Sequence, residues 1–112
     1  MKRLLVSAML LATASPAFAG ASNFTLVNGT DGALSAVSIR RTGTSDWKPL
    51  GAAPAPGARG QVQFTDPDCA FDIQATVAGS GPVTWGGINL CDVKSVILKR
   101  DSAAGAWVDY DQ

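Results

Sequence analysis

The chain has no histidine and no glutamate. Without histidine there is no Ser-His-Asp or Cys-His arrangement and no imidazole ligand for a metal. Without glutamate, paired-carboxylate chemistry falls to the aspartates alone, and Asp66, Asp68 and Asp72 are their only local cluster. A hydrolase needs one carboxyl held in an apolar pocket with a raised pKa. These three sit in and beside a turn, where exposure is the expectation. The sequence therefore reads as that of a non-enzyme. Calcium would want several oxygens at a fixed spacing; Asp66-Pro67-Asp68 lacks the spacing of an EF-hand-like loop, and Pro67 belongs to turn chemistry. No cofactor or metal is implied.

Long apolar runs are also missing, with one exception. Residues 4–14 are apolar but for Ser7 and Thr13, follow Lys2-Arg3, and are broken by Pro16. Ala17-Phe18-Ala19 and Ala19-Gly20-Ala21 are overlapping small-x-small cleavage patterns. Together these form a secretory signal peptide, residues 1–19, cut after Ala19 or Ala21. The run is about half of the roughly 20 residues that span a bilayer, so no membrane insertion is expected after cleavage. The remaining chain, about 92 residues, is one domain. It carries seven basic residues against nine aspartates, a net charge of about −2. This gives no electrostatic footprint for nucleic acid. The expected location is periplasmic or secreted.

There are only two cysteines, Cys69 and Cys91. In an exported chain these are expected to form a disulfide rather than a metal or catalytic site. A domain this small buries only about 60–65 % of its unfolded surface. Closing a loop of about 23 residues adds about 3 kcal/mol on the chain-entropy account.

What the chain does have is period-two alternation punctuated by glycine and aspartate. Strands are expected over residues 24–27, 34–41, 59–64, 69–77, 83–91, 95–99 and 106–110. Asn28-Gly29 and Asp31-Gly32 are strong turn signals, so the first two strands are expected to form a hairpin. Residues 51–57, with Pro54 and Pro56, form a surface connection of polyproline character. Gly86-Gly87 permits a bulge. No segment has a helical period and there is no internal repeat. The fold class is all-β: a single antiparallel β-sandwich, immunoglobulin-like or a small barrel, with about seven short strands and one disulfide.

The aromatic residues are few. Trp85 lies between the cysteines and is expected in the core against the disulfide, as in immunoglobulin-like sandwiches. Trp47 follows a polar loop and is a candidate interaction surface, together with Pro54 and Pro56. Trp107 shares a strand face with Asp109, which leaves two places for it, facing solvent or covering a sheet edge. Asn23-Phe24-Thr25 and Asn28-Gly29-Thr30 match the glycosylation sequon, but Asn28 reads as a turn residue.

Taken as a set, Phe24-Thr25-Leu26-Val27-Asn28-Gly29-Thr30, Asp46-Trp47, Asp68-Cys69-Ala70-Phe71-Asp72-Ile73 and Trp85 through Asn89-Leu90-Cys91 resemble a group of small exported proteins of Gram-negative bacteria. These share N-x-T, D-W, D-C-x-F-D and W-x-x-x-N-L-C motifs. The resemblance spans the whole mature chain. It implies export and a compact β domain, and it supplies no catalytic residues. The functional expectation is a binding or interaction module of the cell envelope, with a protein or glycan partner. The alternative is a small inhibitor of an envelope hydrolase that presents residues 52–57. An aspartate-based enzyme or calcium-binding domain stands third.

Overall fold

A computed structural model describes residues 20–111; the expected signal peptide at residues 1–19 lies outside them. Eight strands follow in order: β1 (Phe24–Asn28), β2 (Leu34–Arg41), β3 (Lys48–Pro49), β4 (Arg59–Val62), β5 (Ala70–Val77), β6 (Gly81–Asn89), β7 (Ser95–Asp101) and β8 (Gly105–Asp111). They form two four-stranded sheets, ordered β4-β1-β7-β8 and β3-β2-β5-β6. The fold is a β-sandwich. Among the described residues no helix is long and apolar enough to cross a membrane.

Alternation decides which side chains fill the space between the sheets. Phe24 and Leu26 of β1, Val37 and Ile39 of β2, Phe71, Ile73, Ala75 and Val77 of β5, Trp85 and Ile88 of β6, and Val96 and Leu98 of β7 are all buried. Phe64 joins this core at its margin, edge-to-face with both Phe24 and Phe71, at centroid distances of 6.0 and 5.2 Å. Trp85 is the largest fully buried side chain. Its indole Nε1–H donates to the carbonyl of Lys99 at 2.8 Å, so one side chain ties β6 to the opposite sheet. Trp85 pairs with Ile73, four residues along from Cys69. At strand rise that is about 13 Å, so the tryptophan packs in mid-sandwich and not against the disulfide.

The expected hairpin of the first two strands does not form. β1 runs parallel to β7 and antiparallel to β4 in one sheet, whereas β2 pairs with β5 in the other. Residues 28–33 are an arch that carries the chain between sheets. The reason lies in Asn28, which is fully buried. Its Oδ1 accepts hydrogen bonds from the amide and hydroxyl of Thr30. Its Nδ2 donates to Gly32 O at 2.9 Å and to Pro54 O at 3.0 Å. The side chain folds the arch on itself and staples it to the 51–57 connection. Gly29 donates its amide to Leu98 O, and a Cβ there would meet that oxygen at 2.8 Å. The Asn-Gly pair is thus set by a close approach to β7 rather than by a hairpin turn.

Two register shifts bend the second sheet. Between Ser35 and Ser38, β2 gains a residue on β5, and Ala36 takes φ of 52°. Between Phe71 and Ile73, β6 places Gly86 and Gly87 opposite Asp72 alone, with Gly87 at φ of 65°. The disulfide Cys69–Cys91 (Cα–Cα 5.2 Å) joins the approach to β5 with the exit from β6. Beside it, Ala21 is buried and bridges Asp66, through Ala21 N to Asp66 O at 2.7 Å and Asp66 N to Ala21 O at 3.1 Å.

Candidate functional site

The outer face of the second sheet carries a charged residue that the alternation does not anticipate as buried. Asp72 points away from the core, yet it is only 5 % exposed. This corrects the expectation of an exposed carboxylate. Its cover is built from three neighbours. The bulge at Gly86-Gly87 turns the Gly87 amide onto Asp72 Oδ1 at 3.0 Å. Thr42 Oγ1 donates to the same oxygen at 2.8 Å. Arg40, paired with Asp72 across β2 and β5, donates Nε–H to Oδ2 at 2.8 Å. Burial alone would raise the carboxyl pKa. The Gly87 amide, the Thr42 hydroxyl and the Arg40 guanidinium outweigh it and hold the pKa below the usual carboxylate range.

Arg40 in turn positions Trp47. Its Cζ lies 4.4 Å from the indole centroid, a cation–π contact, and Trp47 is half-buried. The polar 42–46 loop has no apolar residue of its own to anchor it. Thr42 and Trp47 hold its two ends to the Asp72–Arg40 pair, so a buried carboxylate fixes the loop's path.

Beneath this loop lies a cleft of about 430 Å³, lined by Ile39, Phe64 and Phe71 and rimmed by Arg40, Arg41, Asp46, Lys48 and Asp66. Arg41 bridges Asp66 and Asp68, each at 3.1 Å. Asp66 Oδ1 also accepts the Asp68 amide at 2.8 Å, so Asp66 caps the turn into Cys69. The aspartate cluster of the sequence is therefore split. Asp66 and Asp68 share Arg41 on the outside, and Asp72 is held separately by Arg40.

The other sequence-predicted positions are dispersed. Pro54 is buried and its carbonyl is taken by Asn28, while Pro56 is exposed. The connection is pinned along β4: Gly57 donates to Asn28 O, and a Cβ on Gly60 would meet Ala52 at 3.1 Å. Among the described residues Trp107 and Tyr110 are the exposed large hydrophobic side chains, 41 % and 40 %, and both lie on β8. Asn28, buried with its amide engaged, is inaccessible as a glycosylation acceptor in the fold. Arg40 and Thr42 had no signal of their own in the sequence. The Gly-Gly pair opposite Asp72 was the one visible hint, because a bulge there frees an amide for a side chain.

No family model matches the chain, and no curated protein does. Among solved structures, an NMR structure of a protein from Eubacterium rectale is similar, with a TM-score of 0.54 and 15% identity over 89% of this chain and 96% of that one. At that identity the likeness establishes the fold alone.

Proposed function

We propose that this is an exported, non-enzymatic binding domain of the cell envelope, periplasmic or secreted, whose partner, protein or glycan, enters the cleft under the 42–48 segment. The observation that carries the reading is that Arg40, which lines the cleft, is held in place from behind by Asp72 and Trp47, neither of which lines it. The Asp72–Arg40–Trp47 stack holds a loop in place without any apolar packing of its own. The cleft volume of about 430 Å³ falls in the usual range for a ligand site. An apolar aromatic floor with a charged rim suits a ligand with both polar and apolar surfaces. The carboxylates support the non-enzymatic part. Asp72 has a lowered pKa, the reverse of what a general acid needs, and Asp66 and Asp68 are both engaged by Arg41.

Export is supported by the leader and by the disulfide, which suits an oxidising compartment. The buried Ala21 bridge favours the cut after Ala19, since a cut after Ala21 would delete that bridge. N-terminal sequencing of the secreted protein is expected to begin at Gly20. The binding reading is tested by NMR titration of the mature domain with soluble cell-wall glycan fragments, alongside cross-linking in intact cells from a photoreactive residue placed at Thr44. Shift changes at residues 39–48 and 64–66, or one dominant cross-linked protein, both lost in Trp47→Ala, are expected. Neither signal from the folded domain would sink it.

A further inference from the structure

The four sheet edges are not equally protected. An unpaired edge is a template for another strand, and proteins blunt it with short strands, proline, charge or bulges. β3 has two residues, one of them Pro49. β4 has four, begins with Arg59 and is flanked by the 51–57 connection. β6 carries Pro82 and the bulge opposite Asp72. β8 is neither short nor bulged and has no proline; its only charges are the carboxylates of Asp109 and Asp111, and the Asn89 amide of β6 donates to its Tyr110 hydroxyl at 2.9 Å. It runs seven residues, Gly105–Asp111, in unbroken register with β7, without proline, lysine or arginine. Its only neighbour in the sheet is β7.

Its two faces differ in chemistry. Val108 and Tyr110 pair with the buried Leu98 and Val96, so they lie on the inner face with Ala106. Trp107, Asp109 and Asp111 alternate with them on the outer face. Asp109 pairs with Ile97 and Asp111 with Ser95, so neither carboxylate has a cation directly opposite it on β7; Lys99, on the same face, stands opposite Trp107. Among the described residues neither enters an ion pair.

We infer that β8 is a docking edge for an extended segment of a partner polypeptide in which basic and apolar residues alternate. The added strand would continue the β4-β1-β7-β8 sheet. Its lysines or arginines would lie on the outer face opposite Asp109 and Asp111 and against the indole of Trp107, and its apolar residues beside Val108 and Tyr110. Charge selects this occupant over a second copy. β8 holds two acids and no base, so β8-to-β8 pairing brings carboxylates together and supplies nothing to neutralise them. The surface is separate from the cleft, and either assignment can fail without the other.

The test uses the mature domain and a seven-residue peptide alternating Lys and Val, capped at both ends. Binding is read by amide shifts and by slowed amide exchange. Protection confined to residues 105–111 is expected. A peptide N-methylated at alternate amides should bind at least tenfold more weakly, since it cannot complete a ladder. Asp109→Lys with Asp111→Lys should weaken the parent peptide at least tenfold and leave the amide spectrum of the core unchanged. Three results would overturn the inference: no binding, equal binding of the N-methylated peptide, or shifts mapped to the cleft. Concentration-dependent dimerisation of the domain alone, abolished by the same double substitution, would assign the edge to a second copy instead.

Discussion

The two ends of the sandwich are closed by different devices. At one end the Cys69–Cys91 disulfide, near the surface, and the bridge between buried Ala21 and half-buried Asp66 tie the chain together. At the other, one buried asparagine joins three segments, the 28–32 arch, the end of β1 and the 51–57 connection, through hydrogen bonds alone. The covalent closure acts chiefly by restricting the unfolded chain. The asparagine acts in the folded state, where every group it touches is shut off from water. A residue that is silent in composition can thus matter as much as the pair that dominates the sequence.

The comparison can be broken by removing each closure in turn. Asn28→Ala would orphan Gly32 O, Pro54 O and the Thr30 donors in a buried site. It is expected to cost about 4 kcal/mol, at 1–3 kcal/mol for each unsatisfied group with partial relief from entering water. Cys91→Ser is expected to cost about 3 kcal/mol. Denaturant melts of both variants check the order. Reductant should collapse the difference between the native protein and Cys91→Ser, and should leave the Asn28→Ala loss in place.

A smaller effect separates charge from neutral hydrogen bonding. Asp72 has a folded pKa below its unfolded value, so its contribution is present above pH of about 4 and is lost as pH falls through the folded value. Asp72→Asn is expected to lower stability at pH 7 by about 2 kcal/mol, the scale of hydrogen bonds to a charged group. It should also flatten the acid limb of the stability curve. Melting temperatures from pH 2 to 7 for the two proteins would show this, and parallel curves would refute it. Smallest is Ala36→Gly. Ala36 sits at φ of 52° in the β2 bulge, a conformation that costs an L-residue about 1 kcal/mol. The substitution is expected to raise stability by up to about 1 kcal/mol, although glycine normally weakens a strand.

Much of the fold was legible because burial on one face imposes alternation. The span Leu34–Arg41 follows directly from Val37 and Ile39 against Ser38 and Arg40. The cysteine pair and the Gly86-Gly87 bulge were equally visible. Three things were not. Asn-Gly followed by Asp-Gly looks like a hairpin locally. Whether it joins one sheet or two depends on where Asn28 Nδ2 finds its acceptor, 26 residues away at Pro54. β3 has two residues, too few to show a period. Asp72 stands at an outward position, and only the coincidence of a bulge amide, Thr42 and Arg40 makes burial of its charge tolerable. Of the candidate site, Trp47 was legible as a loop aromatic. Its stacking on Arg40 was not, because it follows from the pairing of β3 with β2, which sets Lys48 opposite Ile39 and so Trp47 beside Arg40.

The parallel pairing of β1 with β7 has a temporal consequence. Thr25 finds its partner in Ser95, 70 residues further along the chain. The first strand to be synthesised sits in the middle of its sheet, and one of its flanks stays open until nearly the whole polypeptide is available. Pairings at such separation fold slowly, in milliseconds to seconds, because loop closure precedes any reward from contact. For a chain exported as proposed here, that delay keeps the polypeptide threadable during passage and postpones closure of the sandwich until the C-terminal hairpin has emerged on the far side.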